Sequence, residues 1–190
     1  MADFNEEEFA VAQQEDLLTF WFAQPKKKLF TADAAFDAEL RERFGELQAA
    51  AGRGELDAWR KTPRGCLALV ILLDQLTRNF YRGTPEAFAN DAKALELAKD
   101  AAARGYASEL SDFECAFLFM PFEHSEKLED QERGVGLMAK LESDPEWRRF
   151  AEMHRDVIAR FGRFPHRNAI LGRESTEEEL AFLEEPNSSF

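Results

Sequence analysis

Residues 63–104 read PRGCLALVILLDQLTRNFYRGTPEAFANDAKALELAKDAAAR. Thr62-Pro63 and Thr84-Pro85 each set a capping hydroxyl before a proline at a first helical position. Gly105 follows the last periodic residue. The spacing predicts helices over 63–80 and 85–104, and so short a link makes them an antiparallel hairpin. The first helix is apolar all round at 66–73, the pattern of a buried helix.

The same punctuation recurs along the chain. Asp144-Pro145 is a third start, and Ser111/Glu114 and Ser175/Glu178 read as capping boxes. Gly162 and Pro165 mark a stop. Further helices are expected near 6–23, 33–51, 54–60, 111–122, 126–142, 145–161 and 175–184. No stretch alternates apolar and polar residues for long, so strands are not expected. The fold class is all-α: about eight or nine helices in stacked antiparallel hairpins, forming a single domain over 1–190. Residues 72–97 space small and large apolar side chains much as a tetratricopeptide helix pair does, although no 34-residue period returns.

The net charge of −13 is concentrated at the ends. Segments 1–16 and 174–190 hold six acids each and no Lys or Arg, leaving twenty-five acids against twenty-four bases between them. Such a balance speaks against a general nucleic-acid binder, which must displace counterions with positive charge. The longest unbroken apolar run, eight residues, cannot span a bilayer. The N-terminus lacks the basic and apolar regions of a secretory signal. Cys66 and Cys115 lie in apolar runs and read as buried thiols. A cytoplasmic location is therefore expected.

Three clusters hold the candidate residues for chemistry, each of which also has a structural reading. In the first, Asp74 follows the apolar run on the face of Leu67, Val70 and Ile71, and needs a partner because an unpaired buried carboxylate is costly. Arg78, four residues on, is in position to be that partner. Asn79 and Arg82 are adjacent. In the second, MPFEHSE at 120–126, Pro121 is expected to break or kink the helix and expose Glu123, His124, Ser125 and Glu126. The third, 148–173, has seven arginines, no lysine, two acids (Glu152 and Asp156), and His154 and His166. His154 shares an apolar stripe with Phe150, Val157, Ile158 and Phe161. Arg163, His166, Arg167 and Asn168 lie in a loop longer than its neighbours, and long loops in compact domains are often functional. Guanidinium forks suit carboxylate and phosphate. Phosphate-loop, dinucleotide, nucleophile-elbow and zinc-helix motifs are absent, and the histidine spacing matches no metal site, so no cofactor or metal is expected.

Five separated motifs come in order: Phe20-Trp21-Phe22 with Phe36-Asp37; LALVILLDQLTRNFYR at 67–82; MPFEHSE at 120–126; RFGRFPHRNAILGR at 160–173; STEEE at 175–179. Together these resemble the bacterial DUF924 family over about residues 17–183. One departure is Leu29-Phe30, where members often carry Trp-Phe. The resemblance implies a tetratricopeptide-like α-helical fold and no established reaction.

Three readings follow. In the first, Arg78, Asn79, Arg82, His124, Glu126, Arg163, His166, Arg167 and Asn168 converge on a pocket for a small phosphate- or carboxylate-bearing ligand. His124 or His166 with Glu126 would then be the acid–base pair of any reaction. In the second, the hairpins present a groove to a protein partner and the Arg-rich loop grips acidic groups. In the third, these charges are an internal ion-pair network that locks the fold.

Overall fold

The computed structural model describes residues 5–186 and 188. Those parts of the acidic terminal segments at residues 1–4, 187, 189 and 190 lie outside the described residues. Among the described residues every regular element is helical.

Helix α1 (Glu6–Phe22) begins at Asn5, whose side chain accepts from Glu7 N. A single turn, α2 (Lys26–Leu29), forms in the gap between the helices expected at 6–23 and 33–51. It buries Leu29 and sets Phe30 against the rings of Phe117 and Trp147. Helix α3 (Ala34–Arg53) is capped by Asp33 and ends at Gly54, whose φ of 86° suits a residue without Cβ. The region expected to be helical at 54–60 is a 3-10 turn, Asp57–Lys61.

The hairpin at the head of the sequence forms as expected, with one addition. Helix α4 (Pro63–Val70) starts at Thr62, passes into a π-turn (Ile71–Leu76), and returns as α5 (Thr77–Phe80). Every residue from Gly65 to Thr77 is buried. A Cβ on Gly65 would lie 2.3 Å from the Trp59 carbonyl oxygen, so only glycine lets the preceding turn pack there. The extra residue of the π-turn is matched by Thr77, whose hydroxyl donates to Leu72 O and accepts from Gln48 and Asn90. The second half of the hairpin divides into a 3-10 turn (Pro85–Phe88) and α6 (Asp91–Arg104).

Helices α7 (Asp112–Glu123), α8 (Leu128–Met138) and α9 (Glu146–Phe161) follow, each packed on the one before. Short connections make these neighbours antiparallel. The Ser111/Glu114 capping box is present. The α4–α5 rod lies among α1, α3, α6 and α7. It and the aromatic side chains of Trp21, Phe36, Phe44, Phe117 and Phe122 make the main core. Each such side chain, fully buried, contributes about 1.5–3 kcal/mol.

Pro121 departs from expectation. The helix runs through it to Glu123, and Glu123 is buried rather than exposed. Pro121 lies in the final turn, where one missing N–H costs a single bond, and buried Phe117, Leu118 and Phe122 pack the helix on several sides. The last helix, α10 (Glu177–Leu183), is capped one residue later than expected. Its capping box is Thr176/Glu179, because the Ser175 hydroxyl accepts from Asn168 Nδ2 instead. Phe182 of α10 joins Val157, Ile158 and Phe164 in a second, smaller core.

Candidate functional site

Asp74 sits in the π-turn with 0% exposure. Its Oδ1 meets Arg78 Nη1 at 3.1 Å and His124 Nδ1 at 2.6 Å, and its Oδ2 accepts from Gln75 Nε2 at 2.6 Å. Burial alone would raise its pKa, but the Arg78 guanidinium and His124 outweigh that and hold the carboxyl well below its usual range. An ionised Asp74 can only accept, so His124 Nδ1 is the donor and Nε2 carries the lone pair. Arg78 also makes a two-pronged bridge, 2.9 and 3.1 Å, to Asp91 at the start of α6.

Arg167 reaches the same place from the long loop, which forms a 3-10 turn at Pro165–Arg167. Its Nη1 is 3.5 Å from Asp91 Oδ2. Its guanidinium lies over the Phe88 and Phe164 rings, 4.7 and 4.4 Å from their centres. The residue is 6% exposed, and Nε is buried with no hydrogen-bond partner. Burial and the Arg78 guanidinium lower its pKa to about 10. Trp21 Nε1 and Gln131 Oε1 are likewise buried and unsatisfied, but neither belongs to a charged group.

The histidines gather here. The His124 and His154 rings are 6.4 Å apart, and His154 and His166 both pack on Phe164. All three pKa values are lowered. For His124 the causes are burial and Arg78, opposed by Asp74. Burial takes His154 to about 3, and burial with Arg167 takes His166 to about 4. His154 Nδ1 contacts the Phe150 carbonyl at 2.8 Å and Glu123 Oε2 at 3.5 Å. Burial and Asp74 raise Glu123 to about 8, so it is mostly protonated at neutral pH.

Arg78, His124, His166 and Arg167, far apart in sequence, thus share one buried cluster, with Arg78, Asp91 and His124 at its partly open edge. The other expected site residues are engaged elsewhere. Asn79 donates to Asp37 at 2.6 Å and Arg82 pairs with the same carboxylate at 3.3 Å. Glu126 accepts Arg173 through both oxygens, 2.7 and 2.9 Å, and the Phe164 amide at 2.8 Å. Both of its oxygens are thus engaged by Arg173 and the Phe164 amide. Arg163 bridges Glu179 at 2.6 and 2.8 Å. Asn168, fully buried, joins Ser175 to Arg173. Glu126, Arg163, Asn168 and Arg173 form a latch that fastens the loop and α10 to the body.

Asp91, Phe88 and Phe164 belong to the cluster and gave no sequence signal beyond an ordinary helix start and two common aromatic residues. Glu123 and Asp74 share their sequence motifs with His124 and Arg78. Among the described residues, no group of three or more His, Cys, Asp or Glu side chains converges as a metal would require. Two surface concavities lie away from the cluster, one beside the first turns of α1 and one between Met153 and Phe182. No described helix is long and apolar enough to cross a membrane.

Fold and cluster together define a helical protein with a buried Arg/His/Asp centre closed by a loop latch. The family described as "Bacterial protein of unknown function (DUF924)" matches residues 17–187, and the chain belongs to it. A solved structure of a protein of unknown function, ATU0120 from Agrobacterium tumefaciens, is similar at 41% identity with a TM-score of 0.88, covering 92% of this chain and 98% of that one. No curated protein matches.

Proposed function

We propose that the Arg78–Arg167 cluster binds a small anion bearing a carboxylate or phosphate. The observation that carries this reading is Arg167: a buried guanidinium with an unsatisfied Nε and a single long contact to Asp91. Buried donors are normally satisfied, and a charged one left over is expensive. The neighbouring arginines contrast with it. Arg148, Arg149, Arg155, Arg160, Arg163 and Arg173 each pair with an acid at 2.5–2.9 Å. A planar carboxylate or a phosphate edge supplies the acceptors that Arg167 lacks. The π-turn holding Asp74 fits the same reading, since such turns concentrate at functional sites. A cytoplasmic setting belongs to it as well, because Cys66 and Cys115 are free thiols and both are buried.

The test is thermal unfolding of the full chain with sulfate, phosphate and succinate. An anion at about 100 times its Kd adds about 2.7 kcal/mol, or roughly 5–10 °C for a chain of this size. The gain should vanish in Arg167→Gln. A flat response to all three anions, on folded protein, ends the proposal.

A further inference from the structure

We infer that this site takes up its anion together with a proton, and that His124, held by Asp74, receives it. The inference rests on the anion-binding reading above and adds what the site does with the charge.

The cluster is already neutral. Asp74 and Asp91 are matched by Arg78 and Arg167. Glu126 is matched by Arg173. Glu123 is held in its protonated form by burial and Asp74. An entering anion therefore leaves at least one negative charge uncompensated in a largely buried place, which is costly. A nearby neutral base can offset one unit of it by binding a proton from solvent.

Three imidazoles are close enough, and their surroundings differ. His154, on α9, faces the Phe150 carbonyl and a protonated Glu123, with His124, Arg167 and His166 opposing any added charge. His166, on the loop, lies beside Arg167, with His124 and Arg78 also repelling and Glu126 already bound to Arg173. His124 faces Arg78, Asp91 and Asp74, and touches the Asp74 carboxylate at 2.6 Å. It is also the C-cap of α7, the end of a helix where positive charge is favoured. The main obstacles to its protonation are burial and the field of Arg78. An anion on the Arg78–Arg167 edge cancels that field. The proton goes to Nε2, because Nδ1 already donates to Asp74, and no covalent bond is made or broken.

The experiment is nitrogen-detected NMR of the imidazole and arginine side chains of the full-length protein, from pH 5 to pH 8, with and without sulfate. Sulfate does not titrate in that range, so any proton taken up belongs to the protein. Sulfate should shift Arg167 Nε and raise the pH at which His124 titrates by about one unit, with about tenfold tighter binding at the acid end. His124→Gln should flatten the pH dependence of the sulfate Kd. Asp91→Asn leaves the cluster one positive charge in excess, so it should bind sulfate more tightly. If sulfate moves Arg167 Nε while His124 titrates at an unchanged pH, the proton coupling is wrong and the anion site stands. If the titration of His154 or His166 moves instead, the assignment to His124 is wrong. If neither sulfate nor succinate moves Arg167 Nε, both proposals fall.

Discussion

Arg167 and Arg173 lie six residues apart on one loop and live in opposite surroundings. Arg173 grips Glu126 with two prongs, bonds the Phe164 carbonyl, and reaches Asn168. Arg167 has two aromatic rings, one 3.5 Å contact and a buried Nε without an acceptor. Two glutamates repeat the contrast. Glu126 is drawn below its usual pKa against the cost of burial by Arg173 and the Phe164 amide. Glu123, three residues earlier, has no arginine and is pushed up to about 8. The latch is thus a closed ion-pair network of the kind that fixes a fold. The centre beside it keeps charged and titratable groups with capacity to spare. Residue type alone does not separate them; the number of satisfied donors and acceptors does.

The comparison can be tested by removing one group at a time. The largest loss is expected for Arg78→Ala, because it strands both Asp74 and Asp91. Breaking a buried pair costs about 3–5 kcal/mol, so the urea midpoint should fall steeply. A change below 1 kcal/mol would mean that Asp74 is stabilised by His124 and Gln75 alone. Arg173→Ala comes next, at about 2–3 kcal/mol, since Glu126 and the Phe164 carbonyl both lose a charged donor. A neutral result there would show that the latch does not hold the loop.

Much of this was readable beforehand, for local reasons. Caps and prolines act within a few residues, so Thr62-Pro63, Ser111/Glu114 and Gly162 place helix ends near where they form. Local rules failed where a distant group competed. Ser175 lost its capping role because Asn168 claims its hydroxyl, and Pro121 stays in a helix because its turn is packed from several sides. The site divides in the same way. Arg, His and Asp at helix ends signalled Arg78, His124, His166 and Arg167. Asn79 could have been set aside, since one helical step turns it about 100° from Arg78, toward Asp37. The pairing of Asp91 with Arg78 and Arg167 could not be read, because nothing in an N-terminal aspartate says which distant cation it will meet.

The two glutamates make a pH test of the same contrast. Glu123 has a folded pKa raised to about 8 from an ordinary 4.5. The stability tied to its proton is fully present below about 4.5 and is lost as pH rises through 8. Wild-type protein should therefore weaken between pH 5 and pH 9 relative to Glu123→Gln, which stays neutral throughout. Glu126 has a depressed pKa, so its contribution is present at neutral pH and lost on acidification. Glu126→Gln should accordingly flatten the acid side of the profile. Parallel profiles for wild type and Glu123→Gln would place Glu123 in an environment like that of Glu126.

The smallest expected effect discriminates best. Arg167→Met keeps an unbranched apolar stem and removes the guanidinium that lies over Phe88 and Phe164. If Arg167 belonged to the latch, the change would resemble Arg173→Ala, at about 2–3 kcal/mol, because acceptors would be stranded. In the surroundings observed, only Asp91 loses a contact, and it keeps both bonds to Arg78. The variant also sheds the cost of holding a poorly paired charge out of water, a cost visible in the lowering of its pKa to about 10. Stability should therefore change by less than about 1 kcal/mol in either direction, as when a strained binding group is replaced. Stabilisation by sulfate should disappear at the same time. A large loss of stability with sulfate binding intact would reverse the roles assigned to the two arginines.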